Sequence, residues 1–111
     1  MREPTMNELT TTSLLDKDDD IERAARSLKA MSHPIRLKIL CVLGGQEISV
    51  QDIVDSVGTS QSNISQHLAI LKDKGILNSR KDANRVFYKV GDVRTLRLIE
   101  MMRDVFCSHD G

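Results

Sequence analysis

The sequence predicts a mainly α-helical domain with five helices and one two-stranded β-hairpin. Three observations lead there. Apolar residues recur at helical spacing in five stretches, separated by Gly, Pro or capping residues. One stretch, Val86–Val90, switches to period two. The fourth helical stretch, Ser60–Gly75, joins an apolar stripe to an outward face of small and amide side chains.

In chain order, residues 1–17 are polar, with Pro4 and a run of Thr and Ser but no clear period. They read as a mobile tail, and residues 18–111 as one domain. Asp18–Asp20 put negative charge where a helix dipole favours it. Ile21, Ala24, Ala25, Leu28 and Met31 then predict a first helix from about Asp19 to Met31. Ser32-His33-Pro34 restarts the chain, with Pro34 in a first turn and Ser32 or His33 as its cap. The second helix, Ile35 to Leu43, is apolar nearly all round and ends at Gly44-Gly45. Cys41 sits near its C-terminal end. Ser49-Val50-Gln51-Asp52 is a capping pattern for a short third helix, which stops at Gly58.

Ser60 caps the fourth helix and Gly75 closes it. Ile64, Leu68 and Leu71 form its inner stripe, while Ser62, Ser65, Gln66 and Ala69 face the other way. That outer face has no acid, and Lys72 lies at its edge. Gln can pair with adenine, Ser with either kind of base edge, and Ala with a thymine methyl. On the helix alone, a solvated face that happens to lack acids reads equally well. Two short helices joined by a Gly-containing turn, the second with a readable face, match a helix-turn-helix.

After Gly75, Ile76–Lys81 and Val86–Val90 read as two strands around Asp82-Ala83-Asn84-Arg85, where Asn84 tolerates positive φ. A hairpin directly after such a helix is a wing, so the predicted class is a winged helix-turn-helix. Arg80, Lys81 and Arg85 at its tip are candidates for backbone or minor-groove contact, against the plainer reading of a charge-guarded sheet edge. Asp92 caps a last helix with a long apolar face: Val93, Leu96, Ile99, Met102, Val105 and Phe106. That face exceeds what a thin domain can cover. It predicts packing on the first helix and on a second copy. A homodimer would set two recognition helices about 34 Å apart, matching an inverted-repeat operator.

Formal net charge is +0, which argues against a histone-like binder, yet bases dominate from Lys72 to Arg97. No apolar run is long enough to span a membrane, and no signal-like segment lies near Met1, so the expected location is cytoplasmic, with Cys41 and Cys107 reduced at rest. No Cys-x-x-Cys, nucleophile–base motif or phosphate-cradling Gly loop argues for an enzyme, and no cofactor is expected.

Met31-Ser32-His33-Pro34-Ile35-Arg36-Leu37, then Ser60-Gln61-Ser62 with Ser65-Gln66-His67-Leu68, then Gly75-Ile76-Leu77 and Arg80, resembles the ArsR/SmtB winged-helix repressors. The likeness runs from about Ile21 to Cys107. It implies a homodimer on double-stranded operator DNA, relieved by an inducer. The DNA-contact set is then Ser60, Gln61, Ser62, Ser65, Gln66, His67, Arg80, Lys81 and Arg85. Many members sense metals. Here the third helix lacks a Cys-x-Cys, and the last helix has Asp92 but Arg94 two positions on, so neither family metal site can be built. Cys41, Cys107 and His109 are the best metal alternative, and no metal site is expected. As residues alone, Cys41 and Cys107 read as inert buried thiols. Beside the resemblance, they look like the thiol-sensing subgroup that responds to persulfides, sulfide or oxidants. A metal-responsive repressor, or a redox-insensitive regulator or anti-silencer, is the alternative.

Overall fold

The computed structural model describes residues 6–107, with side chains from residue 17 onward. Its helices are α1 (Met6–Met31), α2 (Pro34–Leu43), α3 (Val50–Val57), α4 (Gln61–Asp73) and α5 (Val93–Cys107). Its strands are β1 (Ile48–Ser49), β2 (Leu77–Asp82) and β3 (Arg85–Val90). The sheet is antiparallel, in the order β1-β3-β2.

Three expectations need correcting. The first helix begins at Met6, not near Asp19, and so takes in most of the stretch read as a tail. No Gly or Pro interrupts the sequence from Met6 to Met31, so nothing breaks the backbone ladder once it starts. The remaining residues of that stretch, 1–5, lie outside the described residues. The sheet has a third strand, because Ile48 and Ser49 pair with Tyr88 and Phe87. Two residues are too few to show a period in sequence. In the hairpin turn, Ala83 and not Asn84 takes positive φ, at 56°. Asp82 faces Arg85, leaving a two-residue loop whose first residue is left-handed.

Four of the five helix starts have a visible physical cause. His33, not Ser32, caps α2: its Nδ1 accepts the Ile35 N–H at 3.1 Å, and Pro34 follows in the first turn. Ser49 Oγ accepts the Asp52 N–H at 3.2 Å to start α3. Ser60 Oγ accepts the Asn63 N–H at 3.1 Å to start α4. Asp92 Oδ1 accepts the Arg94 N–H at 2.7 Å ahead of α5. The guanidinium and N–H of Arg94 hold the Asp92 carboxyl down at about 2.

The core is aliphatic. Ile39, Leu40 and Leu43 of α2 meet Ile53 of α3, Leu77 of β2 and Ile99 of α5. Ile64, Leu68 and Leu71 of α4 are all fully buried there, as their spacing predicts. Each such side chain contributes about 1.5–3 kcal/mol by leaving water. The underside of α4 is therefore fixed, which fixes the direction of its outer face.

α5 is different. Ile99 is its one fully buried apolar residue among the described residues, while Val105 is 64% and Phe106 79% exposed. α5 rests on α2 and β3. Instead of closing on α1, it borders a cleft of about 290 Å³ that Leu28, Met31, Ile76 and Leu98 help to line. Its apolar face is left uncovered in the single chain.

Candidate nucleic-acid interface and thiol pair

Gln61, Ser62, Ser65, Gln66 and Ala69 are all exposed on α4, with Ser60 exposed at its cap. This is one continuous surface of hydroxyl and amide groups above a buried stripe. His67 is not part of it. It is half-buried and turned towards α2, where its ring lies 4.5 Å from that of His33. Its Nδ1 is 3.1 Å from the Arg36 guanidinium, which also donates to the Ala30 carbonyl. Burial first, then the charges of His33 and Arg36, holds the imidazole of His67 below its ordinary range. His67 thus ties α4 to α2 and α1 and keeps the helix in place.

The three wing cations do not share a face. Arg80 stands opposite Phe87, and Lys81 opposite Val86. Side chains alternate along strands, so Arg80, Arg85 and Phe87 project from one face and Lys81 from the other. Arg80 lies two positions before the turn rather than at the tip. Its Nε donates to Glu47 Oε1 at 2.8 Å, and a second nitrogen lies 2.7 Å from the same oxygen. Arg85 donates to Ser49 Oγ at 3.0 Å and lies 4.0 Å from Asp52. Lys81 is exposed and makes no ion pair among the described residues.

Between α4 and the wing runs a cleft of about 350 Å³. Gln51, Gln61, Ser65, Asn84, Arg85 and Tyr88 contribute donors to its lining, and no carboxylate does. A strip of hydrogen-bond donors beside an exposed amide face suits a phosphodiester backbone next to a groove.

The thiols lie on α2 and α5. Cys41 is half-buried in α2, Cys107 is exposed at the end of α5, and both are free. α2 and α5 pack together. Burial pushes the Cys41 thiol up, the Arg103 charge pulls it down, and Cys107 pushes it up. Arg103 and Cys107 are four residues apart on α5 and border one shallow cleft with Glu100 and Asp104. Among the described residues, no three His, Cys, Asp or Glu side chains come together to hold a metal ion. His109, considered for such a site, lies outside the described residues.

Residues 33–79 match the family described as bacterial regulatory protein, arsR family. Over 97 residues the chain is 39% identical to the HTH-type transcriptional regulator YgaV of Escherichia coli (strain K12), covering 86% of this chain and 98% of that protein. The chain belongs to the ArsR family. Among solved structures of similar chains, reduced HlyU from Vibrio cholerae N16961 superposes on this ArsR-family fold with a TM-score of 0.78 at 37% identity, covering 83% of this chain and 97% of that one. The transcriptional repressor BigR from Xylella fastidiosa gives 0.76 at 30% identity, covering 85% and 96%. The protein is accordingly a DNA-binding transcriptional regulator of the ArsR family and not an enzyme. No helix among the described residues is long and apolar enough to cross a membrane.

Sequence reasoning missed the partners of these side chains. Arg103 had a signal, its i, i+4 spacing to Cys107 on an apolar helix. Phe87 also had one, since it lies two residues after Arg85 on the same strand and therefore on the same face. Glu47, thirty-odd residues before Arg80, had none.

Proposed function

We propose that this ArsR-family regulator binds an inverted-repeat operator as a homodimer while its thiols are reduced. A link between Cys41 and Cys107 within one subunit then weakens that binding. The carrying observation is that the half-buried Cys41 lies on α2, which packs against α5, whose end carries the exposed Cys107. Gln61, Ser62, Ser65 and Gln66 read base edges; Arg80, Lys81 and Arg85 meet the backbone. The apolar face of α5 supports the dimer, which would otherwise leave Phe106 and Val105 in water.

Cys107 is the more accessible thiol and reacts first. Its thiolate attacks the outer sulfur of a persulfide, forming a Cys107 persulfide and releasing the donor as a thiolate. The Cys41 thiolate then attacks Cys107 Sγ, breaking its bond to the outer sulfur. A disulfide forms and hydrosulfide leaves. Burial raises the Cys41 thiol, and the Arg103 charge offsets part of that rise, easing formation of the thiolate that this second step needs. The link ties α5 to α2, and with it the dimer face that spaces the two reading helices.

The test treats wild type, Cys41→Ser, Cys107→Ser and the double variant with a persulfide donor, reading operator affinity and intact mass together. Wild type should gain an intrasubunit link and lose DNA. Cys107→Ser should bind DNA and ignore the donor, and Cys41→Ser should trap a modified Cys107. Loss of DNA by the treated double variant, or no link in wild type, would rule the switch out.

A further inference from the structure

We propose that Phe87 is a positioning residue for DNA binding: its ring holds both Arg80 and Arg85, and a DNA phosphate replaces Glu47 as the partner of Arg80. This rests on the reading of the wing as a backbone contact.

Two guanidinium groups repel one another and do not gather without a cause. Here both neighbour one ring, with the Arg80 carbon 4.8 Å and the Arg85 carbon 5.3 Å from its centroid. Aromatic faces attract cations at this range. The sheet register produces the arrangement. Phe87 stands directly across from Arg80 on β2, and Arg85 lies two residues earlier on the same strand and face. On its other side Phe87 stands across from Ser49, whose hydroxyl accepts from Arg85.

Packing does not explain the ring. Tyr88 and Val90 are the β3 residues that pack on the core, and Leu77 of β2 is buried with it. Phe87 alternates with Tyr88, so it points to the opposite face. The sequence holds only two Phe and one Tyr, so a ring placed away from the core has another use.

Glu47 completes the cluster. One of its oxygens takes two nitrogens of Arg80, at 2.8 and 2.7 Å. The Arg80 fork holds the Glu47 carboxyl below its ordinary range. A carboxylate on an Arg fork occupies the place a phosphate oxygen would take. Both partners are exposed, so exchanging one anion for another costs little. Release of condensed counterions from DNA drives the exchange.

The experiment titrates a fixed duplex of arbitrary sequence with wild type, Arg85→Ala, Phe87→Leu, Phe87→Tyr and Glu47→Gln over a series of salt concentrations. Circular dichroism melts check each fold. Arg85→Ala should flatten the salt slope by about one. Phe87→Leu keeps apolar bulk and loses the ring; affinity should fall about two- to fivefold, with a shallower slope. A purely structural role would leave the slope of the folded fraction unchanged. Phe87→Tyr should restore both. Glu47→Gln should gain about two- to fivefold, because Arg80 loses the nearer of its two competing anions, Asp82 lying 3.8 Å away. If Arg85→Ala leaves the slope of wild type, this face of the wing is not a DNA contact, and the reading of Arg80 and Arg85 as backbone contacts fails with this one. If Arg85→Ala flattens it but Phe87→Leu does not, the positioning role alone is overturned. Should Phe87→Leu fail to fold, Glu47→Gln decides: unchanged or weaker binding overturns the exchange.

Discussion

The α4 helix and the wing line one cleft but are built in opposite ways. The outer face of α4 is neutral, exposed and free of acids, over three fully buried aliphatic residues. The wing carries charge, yet Arg80 and Arg85 are already engaged with Glu47, Ser49, Asp52 and one ring. Specificity wants rigid groups with nothing else to bind, and a helix on a dry core supplies them. Backbone affinity tolerates exchange, since one anion replaces another. A cation count therefore overstates what a wing offers to phosphate, while a face without acids states fairly what a helix offers to bases.

Loss of packing should separate the two regions most. Leu68→Ala beneath α4 should cost about 2–5 kcal/mol of stability by opening a cavity in the core. Val86→Ala on the wing removes a half-buried side chain and should cost less than about 1 kcal/mol. Urea melts of both variants check this, and equal losses would mean the wing shares the core. A smaller effect of the other sign belongs to the turn. Ala83 sits at φ 56°, a conformation that costs an L-residue about 1 kcal/mol or more. Ala83→Gly should raise the unfolding free energy read from urea melts by up to about 1 kcal/mol and leave DNA binding unchanged.

The smallest effect concerns the tie that keeps α4 in place. His67 titrates below its ordinary value of about 6.5 in the folded chain. Just below that value the unfolded chain binds the proton and the folded chain does not. Stability from this group is thus present above about 6.5 and is lost as pH falls through the folded value. His67→Gln should flatten the decline in melting temperature on acidification. An unchanged pH profile would remove His67 from the tie.

How much of this could be read in the sequence depended on locality. The α4 helix was legible because its cap, stripe and closing glycine lie within one short stretch, from Ser60 to Gly75. The α2 cap was legible to within one residue, since His33 and Pro34 are neighbours. β1 was not, because two residues carry no period and its partner lies forty residues on. The start of α1 was missed because a polar helix leaves no apolar stripe to follow. The wing cations were found and their anions were not: Glu47 and Arg80 meet only through the sheet. His67 sits in the same short motif as Gln66, and only the fold shows that one faces inward and the other out.

The division between reading helix and wing is tested most directly by one paired titration. Wild type, Gln66→Ala and Lys81→Ala are measured on the operator and on single-base variants of it, across a salt series. Gln66→Ala should cost about 1–3 kcal/mol on the operator and relax preference at one base pair, with the salt slope unchanged. Lys81→Ala should weaken every duplex alike and lower the slope by about one. Full affinity and selectivity in Gln66→Ala, or an unchanged slope with altered base preference in Lys81→Ala, would contradict it.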